Sequence, residues 1–226
     1  MNIADEKVVF DPAEIRVLGS LVEKAITTPD YYPLSLNALV NACNQSSNRE
    51  PVVEYGEPTV LRALEGLRNQ KLVFVFEGAA SRVVKYGQKL ADTLGLSPAE
   101  TAALCVLMLR GPQTTGEIRG RSGRLHEFAS LDEVESTLQT LATRSSQPLV
   151  VRLPRQTGFK ESRYAHLLAG PPGAVLTEAT PEGTAAAGLD APDDDRIARL
   201  TREVEELRNE LAELKTHFAD FRKQLE

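Results

Sequence analysis

The sequence predicts a mainly helical α+β fold with small β-hairpins, in two tandem copies followed by a long heptad helix. Three observations carry that expectation. A segment near the N-terminus, FDPAEIRVLGSL at 10–21, returns as LSPAETAALCVL at 96–107. Each copy closes on two short β-prone runs around a turn, and the last thirty or so residues keep an unbroken heptad spacing.

In the first copy, PAEIRVLGSLVEKAI at 12–26 sets Ile15, Leu18, Leu21, Val22 and Ile26 at three- and four-residue intervals, so an amphipathic helix is expected. Pro12 suits its first turn and Asp11 precedes it. TTPDYYP breaks the pattern, and LSLNALVNACN predicts a second helix over 34–44. The polar, proline-containing stretch QSSNREPVVEYGEP reads as a loop. A third helix is expected from Thr59 to Asn69 on Val60, Leu64 and Leu67, then strands at 72–76 and 82–86 around EGAAS. Three helices and an antiparallel hairpin are the element order of a winged helix, in which the helices enclose a small core, the hairpin covers its open side and the hairpin loop projects as the wing.

The second copy repeats the order. Ser97 is placed to cap a helix, with Glu100 as its capping-box partner, and Gly111-Pro112 stops that helix. TGEIRGR at 115–121 gives a short second helix and Leu131 to about Ser145 a third, where Val134, Leu138 and Leu141 repeat Val60, Leu64 and Leu67. PLVVRLPRQTGFKESRYAHLL at 148–168 supplies the strands. The expected organisation is a winged-helix domain over 1–95, a second over 96–169, a flexible Pro/Gly/Ala/Thr-rich linker over 170–194 and a helix over 195–226. In that helix Ile197, Leu200, Val204, Leu207, Leu211, Leu214, Phe218, Phe221 and Leu225 alternate spacings of three and four, the seam of a two-stranded coiled coil. Glu203 and Glu210 face Arg208 and Lys215 of a parallel partner in that register, so a homodimer is expected; the alternative is a long helix folding back over its own domains.

The run YPLSLNALVNACNQSSNREPVVEY at 32–55 is the most specific stretch, supported by RVVKY, LRGPQTTGEIRGRSGRLHEF and VVRLPRQTGFKESRYAHL. On these residues the chain resembles the YceH-like family of uncharacterised bacterial proteins. The resemblance spans about residues 12–168. It implies a tandem winged-helix fold and brings no catalytic residue, substrate or cofactor onto any position here.

Composition narrows the function classes. Hydrophobic residues make up 42% and charged residues 26%, with few aromatics and no tryptophan, which fits a globular protein cored by Leu, Val and Ala. With no signal segment and no apolar run of membrane-spanning length, a cytoplasmic protein without membrane contact is expected. Cys43 and Cys105 fall in apolar helical patterns and are expected as buried free thiols. His126, His166 and His217 lack metal-binding spacing, and nucleotide-binding and nucleophile motifs are missing, so neither an enzyme nor a cofactor is expected.

The net charge of −6 concentrates in the tail: Lys and Arg against Asp and Glu number 10 to 12 in 1–95, 9 to 7 in 96–170 and 7 to 13 in 171–226. A near-neutral body permits local basic patches. If double-stranded DNA is the partner, the third helix enters the groove and the wing touches phosphate. The candidate contacts are then Arg62, Arg68, Asn69, Arg82 and Lys85 in the first copy, and Arg119, Arg121, Arg124, Arg155 and Lys160 in the second. Glu57 and Glu65 oppose that role, and the third helix of the second copy shows Asp132, Glu133 and Glu135. The alternative is a protein-interaction adaptor whose acidic helix at 131–145 docks a basic partner. In the loop CNQSSNREPV, the side chains of Asn44, Gln45, Asn48 and Arg49 are expected to satisfy local backbone groups, and Asn37 and Asn41 to bond to the loop.

Overall fold

The computed structural model describes residues 9–77, 83–155 and 161–171. The linker from residue 172, the heptad helix with all nine seam positions, Arg82 and Lys160 lie outside the described residues. Among the described residues the chain is a mixed α/β body of seven α-helices and two small antiparallel sheets.

Helix α1 (Pro12–Thr27) opens on a reciprocal capping box: Glu14 N–H donates to the Asp11 carboxylate at 2.8 Å and Asp11 N–H to that of Glu14 at 2.9 Å. A 3₁₀ turn at Pro29–Tyr31 leads to β1 (Leu34–Ser35) and α2 (Leu36–Cys43). The second helix therefore starts later than its sequence pattern suggests. Ser35 caps it through Ala38 N–H, which requires an extended backbone at Ser35, and Leu34 and Ser35 pair with Tyr86 and Lys85 instead. Helix α3 (Glu57–Asn69) begins two residues before Thr59, with Gly56 as its cap and Pro58 in its first turn.

Strand β2 (Val73–Phe76) lies where expected, but its partner β3 is Lys85–Gln88 rather than 82–86. The ladder runs from Val73–Gln88 to Phe76–Lys85. Gly87 pairs with Phe74 on this ladder, and a Cβ there would lie 2.3 Å from the Phe74 ring, so glycine lets the ring lie across the strand. A one-turn helix not foreseen from the pattern, α4 (Leu90–Leu94), buries Leu90 and closes on Gly95 at φ 62°.

The second copy follows its expected boundaries closely. Helix α5 (Pro98–Arg110) has the Ser97–Glu100 capping box and stops at Gly111. Helix α6 (Thr115–Ser122) adds a box of its own between Thr114 and Glu117. Helix α7 (Leu131–Ala142) ends three residues short of Ser145, and β4 (Val150–Arg152) pairs with β5 (Tyr164–His166).

The repetition extends to the strand between the first two helices. In the first copy β1 pairs with β3, giving the order β1-β3-β2; in the second, Gln113 pairs with Tyr164 of β5 through backbone bonds of 3.0 and 2.7 Å. The matched apolar triplets Val60, Leu64, Leu67 and Val134, Leu138, Leu141 are all buried.

Both copies share one hydrophobic core, because α1 packs against α5. Every residue of α1 from Ile15 to Val22 is buried, Arg16 and Ser20 included, and every residue of α5 from Glu100 to Leu109. The face of α1 that reads as solvated is covered as well, Gly19 by α5 and Arg16 and Ser20 by carbonyls of α2 and the loop after it, while Ile26, expected on the apolar stripe, is exposed at the helix end. Closest approach is at Gly19, where a Cβ would stand 2.9 Å from Leu109 Cδ2, and the Cys105 thiol donates to the Gly19 carbonyl at 3.5 Å. Cys43 and Cys105 are both buried free thiols, as their helical setting suggests.

Candidate functional site

Helix α3 buries Val60, Ala63, Leu64 and Leu67, which turns Leu61, Arg62, Glu65, Arg68 and Asn69 outward. Arg62, Arg68 and Asn69 are exposed and bond to none of the described residues through their side chains. Lys85 is half-buried on β3, opposite Phe76. The apolar side chains Phe76, Val83 and Val84 are exposed on the same hairpin.

The basic residues of the second copy are differently placed. Arg119 is exposed but engaged, donating from Nε to the Phe128 carbonyl at 3.2 Å and from Nη2 to that of Ala129 at 2.9 Å. Arg121 pairs with Glu117 one turn earlier at 3.6 Å, and Arg124 is exposed. Arg155 is exposed on the segment after β4. Arg163 donates to the Pro112 carbonyl at 2.8 Å and approaches Glu117 at 3.4 Å.

The acidity of α7 is largely absorbed. Glu133 accepts from Ala129 N–H at 2.7 Å and lies 3.5 Å from His126, while Glu135 accepts from the Tyr164 hydroxyl at 2.5 Å. Burial and that carboxylate push the Tyr164 hydroxyl up to about 12. Asp132 is exposed.

The loop between α2 and α3 is held by an arginine and two asparagines. Arg49, whose side chain is fully buried, donates twice to the Ala42 carbonyl and spans both oxygens of Glu23 at 3.1 and 2.7 Å. Burial opposes the Glu23 charge, but the hydrogen bonds and charge of Arg49 outweigh it and hold the carboxyl below its ordinary value. Asn44 clamps Tyr55 from both sides, its amide donating to the Tyr55 carbonyl at 2.9 Å and its oxygen accepting from Tyr55 N–H at 2.8 Å. Asn48, in the left-handed region at φ 58°, accepts from the Arg110 guanidinium. Arg16, missed because it lies inside an apolar helical pattern, reaches the Cys43 and Pro51 carbonyls at 3.1 and 2.6 Å. The expected backbone-satisfying role is realised by Asn44 and Arg49, whereas the Asn48 side chain serves the Arg110 guanidinium instead. Asn37 and Asn41, expected to bond to the loop, bond instead to each other at 3.5 Å, a turn apart on the exposed side of α2.

Among the described residues, no group of histidine, cysteine and carboxylate side chains is arranged to hold a metal, and no helix is long and apolar enough to cross a membrane. Burial lowers His166 to about 4, leaving it neutral at pH 7.

A family model described as "Protein of unknown function, DUF480" matches residues 10–159. The chain belongs to the DUF480 family. The DUF480 match runs from Phe10, just before α1, past β4, so it takes in the first copy, the specific loop between α2 and α3 and the second copy up to β4. Relatives include the UPF0502 protein of Opitutus terrae, 56% identical over 88% of this chain and 84% of that protein. The UPF0502 protein of Solibacter usitatus is 53% identical over 96% and 98%, and that of Pelobacter propionicus 49% over 97% and 100%. The YceH-like resemblance is consistent with this membership. Likeness at 97% coverage of this chain also reaches beyond residue 168, into the segment that the resemblance left aside.

Proposed function

We propose that the protein is a non-enzymatic, cytoplasmic, DNA-associated regulator built from two winged-helix units, in which α3 of the first unit addresses double-stranded DNA. The observation that carries this reading is the exposed face of α3, where Arg62, Arg68 and Asn69 are unengaged by the described residues. Guanidinium and carboxamide groups suit phosphate oxygens and base edges. The equivalent helix α7 offers Asp132 and two internally bonded glutamates, so the two units have diverged in this reading and only the first reads DNA. The heptad seam from Ile197 to Leu225 pairs two chains and doubles the contact.

The test is fluorescence anisotropy with random-sequence duplex at about 50 and 200 mM salt. Micromolar binding is expected, falling steeply with salt. Replacing Arg62 and Arg68 by Ala removes two phosphate contacts per chain, four in the dimer, and flattens the log–log salt slope by about 3.6. Replacing Leu207 and Leu211 by Glu separates the dimer and weakens apparent affinity. Absence of binding at tens of micromolar in low salt defeats the reading.

That outcome leaves a protein-interaction adaptor, which rests on the exposed Phe76, Val83 and Val84 of the hairpin beside exposed Leu61 on α3. Apolar side chains at a hairpin end are suited to a protein surface rather than to phosphate.

A further inference from the structure

Where the two copies meet, the end of α1, the loop after α2 and the ends of α5 and α6 enclose a cleft of about 140 Å³. Lys24, Arg110, Arg121 and Arg124 line it against a single carboxylate, Glu23. That carboxylate is already occupied, since Arg49 takes both its oxygens and Lys24 stands 3.5 Å away. Asn48 steers the Arg110 guanidinium by accepting its hydrogen bond, and Thr27, Gln45 and Ser47 add neutral polar groups to the wall. The cations are brought together at an electrostatic cost. Burial lowers the Arg110 pKa, and the neighbouring charge of Arg121 lowers it further.

Outside the lining Arg121 pairs with Glu117 at 3.6 Å and Glu50 acts on Arg110, but Arg124 bonds to none of the described residues, and the lining itself sets four cations against one carboxylate that is already engaged. We propose that this cleft binds a single phosphate group, held by Arg110, Arg121 and Arg124. Guanidinium forks match the geometry of phosphate oxygens. Size sets the ligand class: sites for drug-sized molecules measure about 300–1,000 Å³, so this cleft takes one tetrahedral oxyanion and leaves the rest of any larger ligand outside. The lining belongs to both copies, so occupancy ties α1 to α6 and stabilises the junction. The phosphate comes either from a small phosphorylated molecule or from a nucleic-acid backbone, two sources of the same chemistry.

The full-length protein is titrated with sodium phosphate by isothermal calorimetry and by thermal melting, against sodium chloride of equal ionic strength. Saturable binding is expected, with a rise in melting temperature of about 3–6 °C near ten times Kd. Arg124→Gln is the cleanest variant, because Arg124 bonds to none of the described residues, and it and Arg121→Gln each weaken binding about tenfold. A phosphate effect no larger than that of chloride overturns the proposal, as does wild-type affinity in both variants. Displacement of bound phosphate by duplex DNA assigns the source to a nucleic-acid backbone, and persistence of the phosphate assigns it to a small molecule; both uphold the site. The Arg62 and Arg68 variants bind phosphate normally, so this proposal and DNA reading by α3 fail separately.

Discussion

At the scale of single residues the most consequential side chain is Arg49. It is fully buried, spans the Glu23 carboxylate and supplies both donors to the Ala42 carbonyl, so one guanidinium joins α1, α2 and the loop after α2. Arg49→Met fits the space but strands a buried carboxylate, and a loss of about 3–5 kcal/mol is expected in urea unfolding. Arg49→Lys recovers little of it, because an ammonium cannot span two carboxylate oxygens and a carbonyl together. A loss below about 1 kcal/mol in the methionine variant refutes the assigned role. Sequence pattern pointed to this loop as structured and to Arg49 as satisfying backbone groups. It held no sign of the partner, since Glu23 lies 26 positions away on another helix.

Among the elements, α1 and α5 show how far periodicity reaches. The caps were legible: Asp11 with Glu14 and Ser97 with Glu100 stand at the capping-box spacing, and both boxes form. So was the apolar stripe of α1, which is buried apart from Ile26. Its opposite face, with Arg16, Gly19 and Ser20, reads as polar or small and is buried just as fully. Gly19 is what permits the approach, with Leu109 Cδ2 2.9 Å and Met108 Cβ 3.2 Å from where its Cβ would be. Gly19→Val should therefore force α1 from α5 and lower stability by about 1–3 kcal/mol, read as an earlier denaturation midpoint at unchanged m-value. A neutral effect refutes close packing at this point. The boundary errors at β1 and β3 have a common origin. Strand pairing is a contact between distant segments, and neither Leu34 nor Gly87 signals locally that it faces the other strand.

For the whole molecule, the shared core predicts one cooperative transition for the two copies. Four of the five tyrosines, Tyr31, Tyr32, Tyr55 and Tyr86, lie in the first copy, and with no tryptophan present tyrosine fluorescence follows mainly that half, while circular dichroism follows both. Coincident curves are expected; a fluorescence transition separated from the helical one would show that the copies unfold independently. By itself the sequence determined the mixed helical class, the duplication, most helix boundaries, the buried thiols and the family, because these depend on local spacing, caps, stops and recurring motifs. Only the tertiary structure decided which arginines stay outside. Arg62, Arg68 and Arg124 remain exposed and unengaged by the described residues, Arg119 is exposed but tied to the Phe128 and Ala129 carbonyls, and Arg49 is buried against Glu23. The basic cleft between the copies also belongs to the tertiary structure, since its residues come from four separate elements. A side chain's charge and reach are written in the chain, but whether it meets water, a carbonyl or another charge depends on segments far away in sequence that folding brings beside it.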